Sequence, residues 1–81
     1  MFYLYVLKGD KKIYIGRTDD LKRRIKEHYN KKVWTTKRMK RVELIFYEAF
    51  KSKKDAIRRE RYFKTTKGKK ALKIMLKESL G

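Results

Sequence analysis

The run Phe2 to Leu7 carries aromatic or branched aliphatic side chains on both of its alternating sets, Phe2, Leu4 and Val6 on one and Tyr3, Tyr5 and Leu7 on the other. A strand with a single covered face would alternate with polar residues, so this pattern predicts a central strand packed on both sides. Lys8-Gly9-Asp10-Lys11 supplies turn residues, and Lys12 to Gly16 reads as the returning strand of a hairpin. The register depends on the loop. A two-residue Gly9-Asp10 loop pairs Lys8 with Lys11 and sets Tyr5 directly opposite Tyr14. A loop longer by two residues keeps both tyrosines on one face, whereas an odd change separates them.

Helical spacing takes over after the hairpin. Thr18, Asp19 and Asp20 offer caps to a helix running to about Tyr29, with Leu21, Ile25 and His28 along one side. The basic stretch Asn30 to Arg41 reads as loop. Val42 to Phe50, rich in aromatic and branched residues, is the third strand. Ser52-Lys53-Lys54-Asp55 places an acid three residues after a capping serine and predicts a helix to about Lys64. Gly68 then separates this helix from a last one, Lys69 to Leu80, with Ala71, Leu72, Met75 and Leu76 on its packed face. The order β-β-α-β-α-α predicts an α+β domain: a small, mostly antiparallel sheet of three strands flanked by helices, spanning residues 1–81 as one unit.

Composition narrows what such a domain can do. Without cysteine there is neither a disulfide framework nor a thiolate metal site, and thiol catalysis is excluded. With 81 residues, 41% of them hydrophobic, the apolar core must hold the fold alone. No apolar run approaches the roughly 20 residues of a membrane span, and no basic segment leads into an apolar one with a cleavage site, so a cytoplasmic protein is expected. Lysine and arginine number 26 against 9 acids, a formal charge of +17. Self-repulsion on that scale points to a polyanionic partner, and cations spread over the whole chain suit nucleic acid better than a membrane surface.

Three groups of residues could carry chemistry. Tyr5 and Tyr14 form a pair of phenols whose bland reading is a cross-strand aromatic contact. Arg24 and His28 lie four apart on one helix face, at the edge of the Leu21 and Ile25 stripe, while Arg23 is spaced for a surface salt bridge to Glu27. On the second helix Ala56, Glu60 and Phe63 fall at i, i+4 and i+7. That spacing places a carboxylate inside the apolar stripe of a helix otherwise crowded with Arg58, Arg59, Arg61 and Lys64. Such an acid is either a salt-bridge partner at the core's edge or a ligand for a divalent cation whose other positions are filled by water and phosphate. Lys31, Lys32, Lys37, Arg38, Lys40 and Arg41, with Trp34 and two threonines interleaved, read as a nucleic-acid lip, with Trp34 either stacking on a base or anchoring the loop.

Tyr3-Leu4-Tyr5, a spacer of eight residues, Tyr14-Ile15-Gly16, then Thr18, Asp20-Leu21, Arg24 and His28, with a glutamate on a later helix, resemble the GIY-YIG nuclease family in its small single-domain branch. YIG alone is a weak signal. YIGRTDDLKRRIKEH combines strand, glycine turn, cap, arginine and histidine at the family's spacing, and the likeness extends through VELIFYE to the glutamate helix. The first triplet has Tyr3 where the name motif has glycine, and Tyr29 follows His28 where many small members have asparagine. The resemblance implies metal-dependent hydrolysis of a nucleic-acid phosphodiester, in DNA rather than RNA, by a monomer or weak oligomer. It carries the site roles to Tyr5, Tyr14, Arg24, His28 and Glu60. Glu60 would hold Mg²⁺ or Mn²⁺, and Gly16, Arg17, Thr18, Lys37 and Arg38 would contact the substrate. The rival reading is a non-catalytic basic module on the same scaffold, which has no use for a carboxylate in a phosphate groove.

Overall fold

A computed structural model describes residues 1–10, 12–31, 36 and 41–81. Its elements are β1 (Phe2–Lys8), β2 (Ile13–Thr18), α1 (Leu21–Tyr29), β3 (Glu43–Phe50), α2 (Lys53–Phe63) and α3 (Thr66–Met75), in the order the sequence pattern predicts. The three strands form one antiparallel sheet ordered β2-β1-β3. β1 is therefore central, and its two apolar faces are covered from opposite sides. Leu4 and Val6 pack with Phe63, Leu72 and Leu76 from α2, α3 and the turn after it, while Tyr5 and Leu7 pack with Ile25 and Leu21 of α1.

The hairpin is longer than its shortest reading. Lys8 pairs with Ile13 rather than Lys11, and the Gly9 N–H donates to the Lys12 carbonyl across the loop at 2.9 Å. This is the extension by two residues. Tyr5 consequently faces Gly16, Leu7 faces Tyr14, and both tyrosines still project from one face of the sheet. A bulge between Val6 and Leu7, which pair with Phe46 and Leu44, lets Ile45 and Phe46 both pack on the α2 side while Leu44 packs on the α1 side.

The helix ends depart from expectation in two places. Ser52 is the residue before α2, but its side chain makes no capping bond, and Asp55 instead meets Arg58 at 3.3 Å on the surface. At α3 the Thr65 hydroxyl accepts from the Gly68 N–H at 3.0 Å, so the helix starts three residues earlier than predicted and Gly68 lies inside it. Gly68 is thus a contact residue, not a break. A Cβ there would land on the Tyr62 carbonyl oxygen and within 2.9 Å of the Phe63 Cα, so only glycine lets the first turn of α3 press against the last turn of α2. Leu72 and Leu76 are buried as expected, but Met75 is exposed. Gly68→Ala, which clashes with backbone that cannot rotate away, should lower unfolding free energy by about 3 kcal/mol or more, read from the urea midpoint.

Candidate active site

Four of the five predicted site residues meet on the α1 side of the sheet. The Asp20 carboxylate accepts from the Arg23 N–H at 3.1 Å and starts α1 just after β2, which brings the fourth and eighth residues of that helix, Arg24 and His28, over the tyrosine pair. Arg24 Nε donates to the Tyr5 hydroxyl oxygen at 3.3 Å, and that oxygen lies 2.9 Å from His28 Nε2. Tyr14 closes the group, with its ring centroid 5.1 Å from that of His28 and 6.1 Å from that of Tyr5. Tyr5 and His28 are fully buried, whereas Tyr14 is half-buried. His28 therefore sits deeper than the stripe edge its spacing suggested.

Gly16 has a packing reason of its own. A Cβ there would stand 2.5 Å from the Tyr5 ring and hydroxyl and 2.8 Å from the Tyr14 ring. The space next to the backbone is filled by the two phenols, so the glycine is what lets them converge. Thr18, assigned above to the substrate, exchanges hydrogen bonds with the backbone of Asp20 at 3.1 and 3.3 Å, so its hydroxyl shapes the turn into α1.

Burial and neighbours set the protonation of the group. Removal from water pushes the Tyr5 phenol up to about 12, with Tyr14 adding to the rise and the Arg24 hydrogen bond opposing it, so Tyr5 is a neutral phenol at ordinary pH. Arg24 is held still more firmly charged by its bond to Tyr5 and, beyond that, by Glu27. His28 is lowered to about 4, by burial first and then by the Arg24 charge, so its ring is neutral. Arg24 donates into the Tyr5 oxygen, which leaves the hydroxyl hydrogen to point at Nε2. The matching tautomer has Nδ1–H donating to the Thr36 hydroxyl, 2.6 Å away. Thr36 is the site residue that sequence reasoning passes over. Its only signal is its place among the threonines of the basic loop.

The depressed histidine has a consequence for stability. Between about 6.5 and about 4 the unfolded chain takes up a proton that the folded chain refuses, so acid favours unfolding across that window and not below it. Stability should fall by about 2 kcal/mol between roughly pH 7 and pH 5. The imidazole C–H resonance checks the cause directly: it should stay flat over that range, and a titration near the ordinary histidine value would refute the buried neutral ring.

Glu60 stands apart from these four. Alternation along β2 turns Tyr14 and Gly16 towards α1 and Arg17 towards α2, where Arg17 Nε meets Glu60 Oε1 at 3.3 Å. Lys64 Nζ, one turn along α2, donates to the other oxygen at 3.2 Å. The carboxylate is inward as predicted, with 18% of its side chain exposed between a buried Ala56 and a buried Phe63. The chain thus places Glu60 on the far side of β2 from Tyr5 and His28, joined to that strand through the residue after Gly16. Lys37, Arg38 and Trp34 lie outside the described residues.

The model of the GIY-YIG catalytic domain matches residues 1–73. The chain belongs to the GIY-YIG family. Among its relatives, the UPF0213 protein YazA of Bacillus subtilis is 44% identical over 75 residues, which is 89% of this chain and 76% of that one. A UPF0213 protein of Bacillus pumilus is 43% identical over the same length, and the UPF0213 protein CPE1444 of Clostridium perfringens is 34% identical over 82 residues, 99% of this chain and 88% of its own. None of these names states an activity. No solved structure gives a significant match.

In this GIY-YIG chain the donor that the resemblance assigns to a metal is one carboxylate, Glu60. Among the described residues no three histidine, aspartate or glutamate side chains gather as a ready-made cage. Glu60 offers hard oxygens, partly open to solvent, and Mg²⁺ commonly accepts one carboxylate with waters and substrate phosphate completing its shell. The residues fit such a site, with Arg17 and Lys64 as the cations that occupy the carboxylate in the free protein. Among the described residues no helix is long and apolar enough to cross a membrane.

Proposed function

We propose that this chain is a metal-dependent nuclease of the cytoplasm that hydrolyses phosphodiester bonds in nucleic acid, DNA in preference to RNA. The observation that carries the reading is the buried Tyr5 hydroxyl held between the Arg24 guanidinium and His28 Nε2 beneath a half-exposed Tyr14. An aromatic core contact needs no guanidinium, and a surface salt bridge needs no phenol. Together they hold a cationic, partly exposed guanidinium in place beside a surface phenol, in a family of catalytic domains.

The roles follow from exposure and charge. Arg24, permanently cationic and one third exposed, places its fork where charge builds on the phosphoryl oxygens. Tyr14 is the phenol that reaches the surface and can meet the attacking water, while Tyr5, its hydroxyl engaged below, orients Arg24. His28 accepts the hydrogen bond of the Tyr5 hydroxyl and is itself fixed by its bond to Thr36. Glu60 would hold one Mg²⁺ or Mn²⁺, which when bound polarises the phosphate and steadies the attacking or leaving oxygen. Arg17 and Tyr14 lie on opposite faces of the same edge strand, so a phosphate over the open side of β2 borders both halves of the site.

Incubation of the purified chain with single-stranded, duplex and branched DNA and with RNA, in Mg²⁺, in Mn²⁺ and in EDTA, tests the reading. Products that appear with metal and vanish with EDTA are expected. Tight binding without cleavage of any substrate would leave the second reading, a non-catalytic nucleic-acid module. That reading is favoured by one observation, the engagement of both Glu60 oxygens by Arg17 and Lys64.

A further inference from the structure

The cations of this chain are not compensated evenly. On α1, Arg23 sits between Asp19, Asp20 and Glu27, and Arg24 bonds Glu27. On α2, Arg58 pairs with Asp55, Arg59 with Glu48 and Lys64 with Glu60. From Arg61 to Lys77 the sequence then runs through seven cations without one acid. Lys67, Lys69, Lys70, Lys73 and Lys77 are all exposed, and among the described residues none of them takes part in an ion pair. Lys69 and Lys73, and Lys70 and Lys73, stand four and three residues apart on α3, where like charges repel, and Lys77 adds a further cation in the turn after the helix. The first acid beyond them is Glu78.

We propose that α3 is a second nucleic-acid contact, a track for the phosphate backbone beside the candidate active site. Gly68, Leu72 and Leu76 face the core, which turns Lys70 and Lys73 of α3 outward, and Lys77 follows them, exposed, in the turn after the helix. The three lysines extend over on the order of 10 Å, the reach of about three phosphates on one strand. The track also begins at the right place. The first turn of α3 is pressed on the last turn of α2 through Gly68 and Tyr62, next to Lys64, which bonds Glu60. A strand with one phosphate near Arg17 and Glu60 can continue along these lysines.

An anionic lipid surface fits this helix poorly. A helix lying on a bilayer inserts an apolar face, and here that face is already buried under β1, leaving Ile74 and Met75 as the exposed apolar side chains of α3. The proposal takes from the nuclease reading only the nature of the polyanion, and it makes no demand on catalysis.

The test compares Lys70→Gln/Lys73→Gln/Lys77→Gln with a control of equal charge change, Lys12→Gln/Lys53→Gln/Lys54→Gln, in EDTA. Affinities for a long DNA strand and for a trinucleotide are read by anisotropy across a salt series. The α3 variant should melt no lower than the parent, since it relieves like-charge pairs. Its log-log salt slope on the long strand should drop by about two units, at roughly 0.7 per lost phosphate contact on a single strand, with affinity down by tenfold or more, and the control should change far less. The trinucleotide should not distinguish the two variants. Equal slopes for both variants on the long strand would overturn the track while leaving any metal-dependent cleavage, and with it the nuclease reading, untouched. Loss of binding to anionic vesicles with unchanged DNA affinity would overturn it in favour of a membrane.

Discussion

Glu60→Gln should abolish cleavage in practical terms while leaving a folded protein that still binds nucleic acid. A carboxylate that holds a divalent cation at a reacting phosphate supplies several kcal/mol of transition-state stabilisation, and at 1.36 kcal/mol per decade its loss is worth about 10³-fold or more in rate. Glutamine keeps the shape and can still accept from Arg17, and both ion pairs it weakens involve partly exposed cationic partners, Arg17 at 32% and Lys64 at 54%. Their loss should therefore lower stability by only about 1 kcal/mol. Binding should stay level or tighten, because a negative charge leaves the neighbourhood of a phosphate and Arg17 is freed to meet it. If Glu60 is merely a counter-ion for Arg17 and Lys64, the ordering reverses: melting temperature shifts and turnover per folded molecule does not. That second pattern would end the metal-ligand assignment, and cleavage, binding and melting measured on one variant are enough to see it.

The parts of this molecule that were legible in its sequence are those in which a residue's own neighbours decide the outcome. Phe2 to Leu7 announces a central strand because both of its faces are apolar, and the sheet order β2-β1-β3 agrees. Glu60 reads as inward because Ala56 and Phe63 bracket it at helical spacing. What the pattern does not contain is which side of the sheet a helix will cover, since an amphipathic helix packs as well on either. For that reason the pattern left three separate groups that only the family resemblance joined into one set of roles, whereas the fold divides the five residues four and one across β2, with Arg17 as the connection. Loop length was open for a similar reason. Gly9 and Asp10 suit a short turn and a longer one alike, and only the fixed parity of strand alternation kept Tyr5 and Tyr14 together. Gly68 misled because glycine marks both a chain break and a close approach of backbones, and the approach to Tyr62 is visible only once α2 and α3 are in place. The environment of His28 depends on Thr36, eight residues on in the sequence and beyond the periodic stripe of α1.

Arg24→Ala and Arg23→Ala, adjacent and chemically identical changes, should differ by about 10² to 10³ in cleavage rate, the usual effect of one lost transition-state donor. Both arginines reach Glu27, at 3.0 Å from Arg24 and 3.9 Å from Arg23, so the contrast does not rest on that pair; the spacing that matched Arg23 to Glu27 holds, but Arg24 is the nearer partner. What separates them is the other end of each guanidinium. Arg23 turns to Asp19 and Asp20 with more than half its side chain in water, and its removal takes away surface pairs worth little. Arg24 turns to the Tyr5 hydroxyl, so its removal takes the positive charge from the phosphate's position and leaves a buried phenol with one partner fewer. The Tyr5 phenol, already high, should become harder still to ionise, since the one contact that lowers it is gone. Arg24→Lys gives the decisive control: it restores the charge without the planar fork, so it should recover nucleic-acid affinity but only a small part of the rate. Equal and small effects of Arg23→Ala and Arg24→Ala would show that no reaction takes place over this face of α1, whatever the protein binds.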